Sequence, residues 1–156
     1  IDEPIVEILS FLRAVDFDHL LIVNACLPFL QLQTIQAFLR DCVQHDHQPA
    51  FGVVKRTNHF MRLTREAVNF NPADKTINTK TVEPVYEFAH ALYFFNREDF
   101  FARGVYWDWR TVRLVEVPGG LETLDIDTED DFRTAERLWN ALGGEQACER
   151  LTSRSS

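Results

Sequence analysis

The sequence predicts an α/β domain built on a mainly parallel sheet with helices on its faces. Short apolar runs at Leu20-Leu21-Ile22-Val23 and from Ala50 to Val54 have the pattern of strands covered on both sides, where polar alternation is lost. Between them Ile35, Phe38, Leu39, Cys42 and Val43 recur on one helical face. Strand, proline-containing loop, helix and strand is the order of a right-handed crossover unit. A chain of 156 residues with 46% hydrophobic and 26% charged residues suits one globular domain.

Ahead of this unit, Ile5, Ile8, Leu9 and Leu12 follow helical spacing, with Asp2 as N-cap and Pro4 in the first turn. Beyond it, Met61 to Phe70 suggests a hairpin and Asn71-Pro72-Ala73-Asp74 a turn, leading into a polar loop over 71–83. Phe88 to Phe95 is a strongly apolar strand, followed by a helical turn with Asn96 as cap and Phe100 and Phe101 inward. Trp107 and Trp109 alternate around Asp108 as a strand burying one ring would, though a stacking surface also fits.

Arg110 to Val117 alternates imperfectly before Pro118-Gly119-Gly120 breaks the chain. Leu124-Asp125-Ile126-Asp127 is expected to be a short strand leading directly into a helix. Thr128 and Asp131 make a capping box for that helix, whose stripe is Phe132, Ala135, Leu138, Trp139 and Leu142 before Gly143-Gly144 ends it. The domain is therefore expected over 1–144, with a flexible tail over 145–156.

Composition narrows the function. A formal net charge of -8 opposes sequence-independent binding to nucleic acid or anionic membranes, both of which need clustered Lys and Arg. No apolar stretch approaches the roughly 18 residues of a membrane span. Three widely spaced cysteines, Cys26, Cys42 and Cys148, form neither a disulfide framework nor a zinc motif, so a reduced, cytoplasmic protein is expected.

The residue types that carry chemistry are few. In an extended segment Asp125 and Asp127 point the same way while Ile126 faces the core, and two converging carboxylates can hold Mg²⁺. Helix capping by Asp127 or Thr128, with Asp125 solvated, is the alternative. His90 lies in an apolar run, where it either faces a ligand pocket or is a hydrogen-bonded core histidine. Asn24, at the end of the first strand, suits either a sugar or base contact or a turn. Arg62 and Lys80 are isolated cations that can pair with a carboxylate or phosphate, or simply solubilise the surface.

The stretch from Leu121 to Phe132 (LETLDIDTEDDF), followed by Ala135-Glu136-Arg137-Leu138, resembles the closing motif of the acylneuraminate cytidylyltransferases, which activate sialic acid and related acidic sugars as CMP conjugates. His19 to Phe29 resembles that family's strand and following loop, Ala50 to Lys55 its next strand, and Tyr86 to Phe94 its Arg-x-Asn-Gly-Ala-Ile-Tyr strand. Ala89 stands where the family has Asn, and His90 where it has Gly.

The resemblance implies a Rossmann-like nucleotidyltransferase fold, CTP and an acidic sugar as substrates, and Mg²⁺ on Asp125 and Asp127. It further implies sugar binding by Asn24, His90, Lys80 and Arg62, and a homodimer with contacts over 71–83. The family's phosphate-cradling loop, rich in Arg, Gly, Ser and Lys, has no counterpart: the earliest glycine is Gly52, and residues 1–23 contain one Arg and no Lys. The fold is thus expected to be incomplete at its N-terminus. The chain is read either as a piece of a longer enzyme or as a non-catalytic binding or assembly module that has lost nucleotide binding.

Overall fold

The computed structural model describes residues 3–144, so Asp2 and the segment 145–156 lie outside the described residues. Four helices and four strands succeed one another as α1 (Ile5–Ile8), β1 (His19–Val23), α2 (Leu32–Gln44), β2 (Ala50–Arg56), β3 (Val85–Asn96), α3 (Arg97–Arg103), β4 (Arg113–Glu116) and α4 (Glu129–Ala141). The protein is α/β, with a four-stranded mixed sheet and flanking helices.

The sheet order is β1-β3-β2-β4. β3 pairs antiparallel with both β1 and β2, while β2 and β4 pair in parallel. β1, β2 and β4 therefore run one way, as the crossover pattern predicts. The pairing still departs from a mainly parallel sheet, because the reversed β3 inserts between β1 and β2. Apolar runs report that a strand is covered on both faces and carry no information about its direction.

Both faces are covered, by different residue types. On one face α2 buries Phe38 and Cys42 against Ala50, Val54, Leu92, Phe94 and Val117. Leu39 and Val43 of the expected stripe are instead 40% and 52% exposed. On the other face Leu12, Phe95 and Phe100 form a second cluster with residues of α1, α3 and the 3₁₀ turn Ser10–Ala14. The continuous opening helix expected from sequence is thus a short α1 followed by that turn. Phe51 extends this face with edge-on contacts to Phe88, Tyr93, Tyr106 and Trp109.

Residues 104–112 form no strand, and Trp109 is 64% exposed with its ring against Phe88. The expected hairpin over 61–70 reduces to one bridge, Met61 to Ala67. The surrounding loop is held by buried Asn69, whose side chain accepts from Phe60 N–H and donates to the Asn58 and Glu83 carbonyls at 2.8–2.9 Å. One buried amide thus satisfies three backbone groups that lack a ladder.

β3 is irregular at its middle. Between the pairs Phe51↔Tyr93 and Val53↔Phe88, β2 advances two residues while β3 advances five. The extra residues reverse the strand's parity, so Phe88 and Tyr93 face the same aromatic layer although five positions apart. Gly52 lies opposite this bulge, and a Cβ there would already touch Val117 Cγ1 at 3.4 Å.

Candidate functional site

Three segments meet at the end of β1. Asn24 N–H donates to the Ala91 carbonyl (2.9 Å), prolonging the β1–β3 ladder into the bulge. Cys26 then accepts from Ile126 N–H at 3.0 Å, which fixes the Asp125-Ile126-Asp127 segment beside the loop after β1. The segment is extended but is not a strand, since this is its only ladder-like bond among the described residues.

Two anchors hold the approach to this segment. At Gly119 a Cβ would lie 2.7 Å from Val54 Cγ1, so only glycine lets the chain cross the sheet so closely. Glu122 then reaches the start of α2, where its Oε2 accepts from Gln31 N–H (3.2 Å) and from the Thr34 hydroxyl (2.5 Å). On the far side Thr128 caps α4, completing the predicted capping box with Asp131. Trp139 of α4 packs on Phe29 in the loop after β1, ring centroids 6.5 Å apart.

Within this frame Asp125 is partly buried, and its Oδ1 is buried with no hydrogen-bond partner among the described residues. Buried carboxylate oxygens are rarely left so. Asp127 is exposed, and only its backbone N–H is engaged, by Asp131 Oδ2 at 3.3 Å. Of the two expected capping residues it is Thr128, not Asp127, that caps the helix, while Asp125 is partly buried rather than solvated. Two carboxylates are hard oxygen donors of the kind Mg²⁺ prefers, and Mg²⁺ keeps several waters or phosphate oxygens when few protein ligands are present. No group of three or more His, Cys, Asp or Glu suited to a metal occurs among the described residues.

The bulge brings a second pair of polar side chains together. His90 is exposed, with φ +50°, and its Nδ1 lies 2.7 Å from the Tyr93 hydroxyl. In a regular strand residues three apart face opposite sides, so this bond exists only because the strand bulges. His90 is therefore no core histidine: its ring is exposed and bonded to the Tyr93 hydroxyl. Burial first, and then Tyr106 and the Asp125 charge, push the Tyr93 hydroxyl up to about 12. Tyr93 is a residue the sequence gives no cause to single out.

The remaining candidates divide. Asn24 Oδ1 accepts from Cys26 N–H at 2.9 Å, so Asn24 is a turn residue that has only its Nδ2 to offer a ligand. Arg62 is exposed and ion-paired with Glu66 at 3.3 Å. Lys80 is exposed on the 3₁₀ turn Thr79–Thr81. Neither shares a contact with Asn24, His90 or Asp125 among the described residues. No helix among those residues is long and apolar enough to cross a membrane. No protein-family model matches the chain, and neither does any curated protein.

Proposed function

We propose that the chain carries the later part of a cytidylyltransferase domain that transfers CMP from CTP to an acidic, sialic-acid-like sugar. The observation that carries this reading is the tether of Asp125-Ile126-Asp127 to the loop after β1, with one Asp125 oxygen buried and unpartnered. The backbone at position 90 supports it too. His90 stands where the resembled strand has glycine, and its φ of +50° is a conformation that glycine adopts freely.

In the proposed reaction a sugar hydroxyl oxygen bonds to the α-phosphorus of CTP, the bond to the bridging oxygen breaks, and pyrophosphate departs as the hydroxyl proton is lost. Asp125 and Asp127 would hold Mg²⁺, which would supply neutralisation of phosphate charge there. Asn24 Nδ2 and the Tyr93–His90 pair contact the sugar. Lys80 and Arg62 have no place in this cluster.

Pyrophosphate release from CTP, measured with a panel of nonulosonic acids, tests the reading. Asp127→Ala is expected to lower the rate at least a hundredfold; full activity in that variant removes the metal role.

A second reading, a binding or assembly module without catalysis, is favoured by the absence, among the described residues, of any Lys or Arg from the contacts made at the β1 end. CTP phosphates need cationic or backbone N–H partners there. Measurable release of pyrophosphate by the unmodified chain excludes the module, whereas sugar binding without turnover supports it.

A further inference from the structure

Two histidines meet at the end of β1 that lies away from the Asp125 segment. His19 opens β1, about 13 Å along the strand from Val23, and His47 follows the last turn of α2. Their ring centroids are 4.8 Å apart, with the planes tilted by 32°. Both residues are exposed, and neither ring has a hydrogen-bond partner among the described residues.

The chain adopts an unusual backbone to bring them together. Asp46 and His47 both have positive φ, +53° and +56°, and the His47 N–H donates to the Cys42 carbonyl at 3.0 Å, folding the chain back over the end of α2. Such strain gathers at functional positions. Phe94 of β3 stacks on His19, nearly parallel at 5.5 Å, and lies 6.3 Å from His47. A turn and one apolar ring thus hold two imidazoles side by side with their nitrogens unengaged.

A single ion bound by two neighbouring imidazoles fixes the distance between them. With metal–nitrogen bonds of about 2.0–2.1 Å and angles between square-planar and tetrahedral, the centroids fall roughly 4.5–5.2 Å apart. The distance between His19 and His47 lies inside that range. Turning about each metal–nitrogen bond leaves the tilt of the planes free, and an exposed imidazole turns about χ2 at little cost. Imidazole nitrogen suits Zn²⁺, Cu²⁺ and Ni²⁺, whereas Mg²⁺ prefers oxygen.

We propose that His19 and His47 form a metal site of their own, for a Zn²⁺-type dication, that ties the C-terminal end of α2 to β1. Two protein ligands leave the remaining positions to water or to an incoming donor. The site is independent of the reading of Asp125 and Asp127.

Zn²⁺ alone is the probe, titrated calorimetrically in a background of Cys26→Ser and Cys148→Ser, which removes two competing thiols. His19→Gln and His47→Asn, the latter because asparagine tolerates positive φ, are each expected to lower the affinity roughly tenfold or more, since a lone imidazole has no chelating partner. Combining them is expected to add little, because either loss already removes the chelate. Asp125→Asn is expected to leave the affinity unchanged. Parent-like affinity in either histidine variant overturns the proposal, and if that variant also melts lower without metal, its ring only packs on Phe94.

A readout on the histidine-intact chain does not depend on the variants folding. The side-chain ¹⁵N resonances of His19 and His47 are expected to shift together as one Zn²⁺ per chain is added, while those of His90 stay in place. Resonances of His19 and His47 that ignore Zn²⁺ overturn the site.

Discussion

Helices α2 and α4 begin in opposite ways, although both start beside the segment that carries Asp125 and Asp127. α4 is capped from within its own first turn: Asp131 N–H donates to Thr128 Oγ1, while Asp131 Oδ2 accepts from the Thr128 N–H and hydroxyl. At α2 the N-cap Gln31 makes no side-chain cap, and the acceptor comes from Glu122, 91 positions away. One helix start is therefore locally determined. The other depends on the loop that leads to the candidate site, so the stability of α2 and the placement of Asp125 are linked.

Glu122→Ala offers the sharpest way to break this comparison. It strips α2 of the Glu122 cap and leaves Thr34, 8% exposed, with a hydroxyl that has lost its acceptor. A loss of about 2 kcal/mol is expected, at the upper end for a cap because a nearly buried group is orphaned as well. Urea denaturation measures it, and Glu122→Gln, which keeps an acceptor, is expected to recover more than half. A loss below about 0.5 kcal/mol would mean that α2 does not lean on the site loop.

The same contrast explains what was legible in the sequence. The α4 cap, the Asn96 cap of α3 and the Asn71 turn were all legible because each is a side chain bonding its own neighbourhood. Three of the four strands were legible from apolar runs, and β4 only as an imperfect alternation over 110–117. Glu122 was not, since nothing local distinguishes a long-range cap from a surface carboxylate. Asp125 and Asp127 were legible as a motif, but the His90–Tyr93 pair was hidden. Spacing arguments assume a regular strand, and the bulge opposite Gly52 reverses the parity on which they depend.

Thr128→Ala tests the local side of the comparison and should cost less, about 1 kcal/mol, because water can replace an exposed cap. The two Thr128 bonds hold the Asp131 carboxyl below its ordinary value, the hydroxyl contributing most. A carboxyl whose folded value is depressed contributes stability above its unfolded value, and that contribution is lost as pH falls through the folded one. NMR titration is expected to find Asp131 low in the unmodified protein and part of the way back to normal in Thr128→Ala, which keeps the backbone N–H bond. An unchanged Asp131 titration would show that the box does not hold in solution.

The smallest effect belongs to the ion pair on the same first turns of α4, Arg133 Nε to Glu129 Oε1 at 3.1 Å, with side chains 61% and 70% exposed. Its charges are ordered favourably, Glu preceding Lys-type cation by four residues and lying near the positive helix end. Water and salt nevertheless screen so exposed a pair, and a double-mutant cycle is expected to give roughly 0.3 kcal/mol at low ionic strength and nothing measurable at 1 M salt. The Thr128→Ala loss should persist at that salt concentration, because a hydroxyl-to-backbone bond carries little net charge to screen. If salt instead erased both effects equally, α4 would be started by its acidic first turn acting on the helix dipole, and its contrast with α2, which has no acidic residue there, would be one of charge rather than of capping.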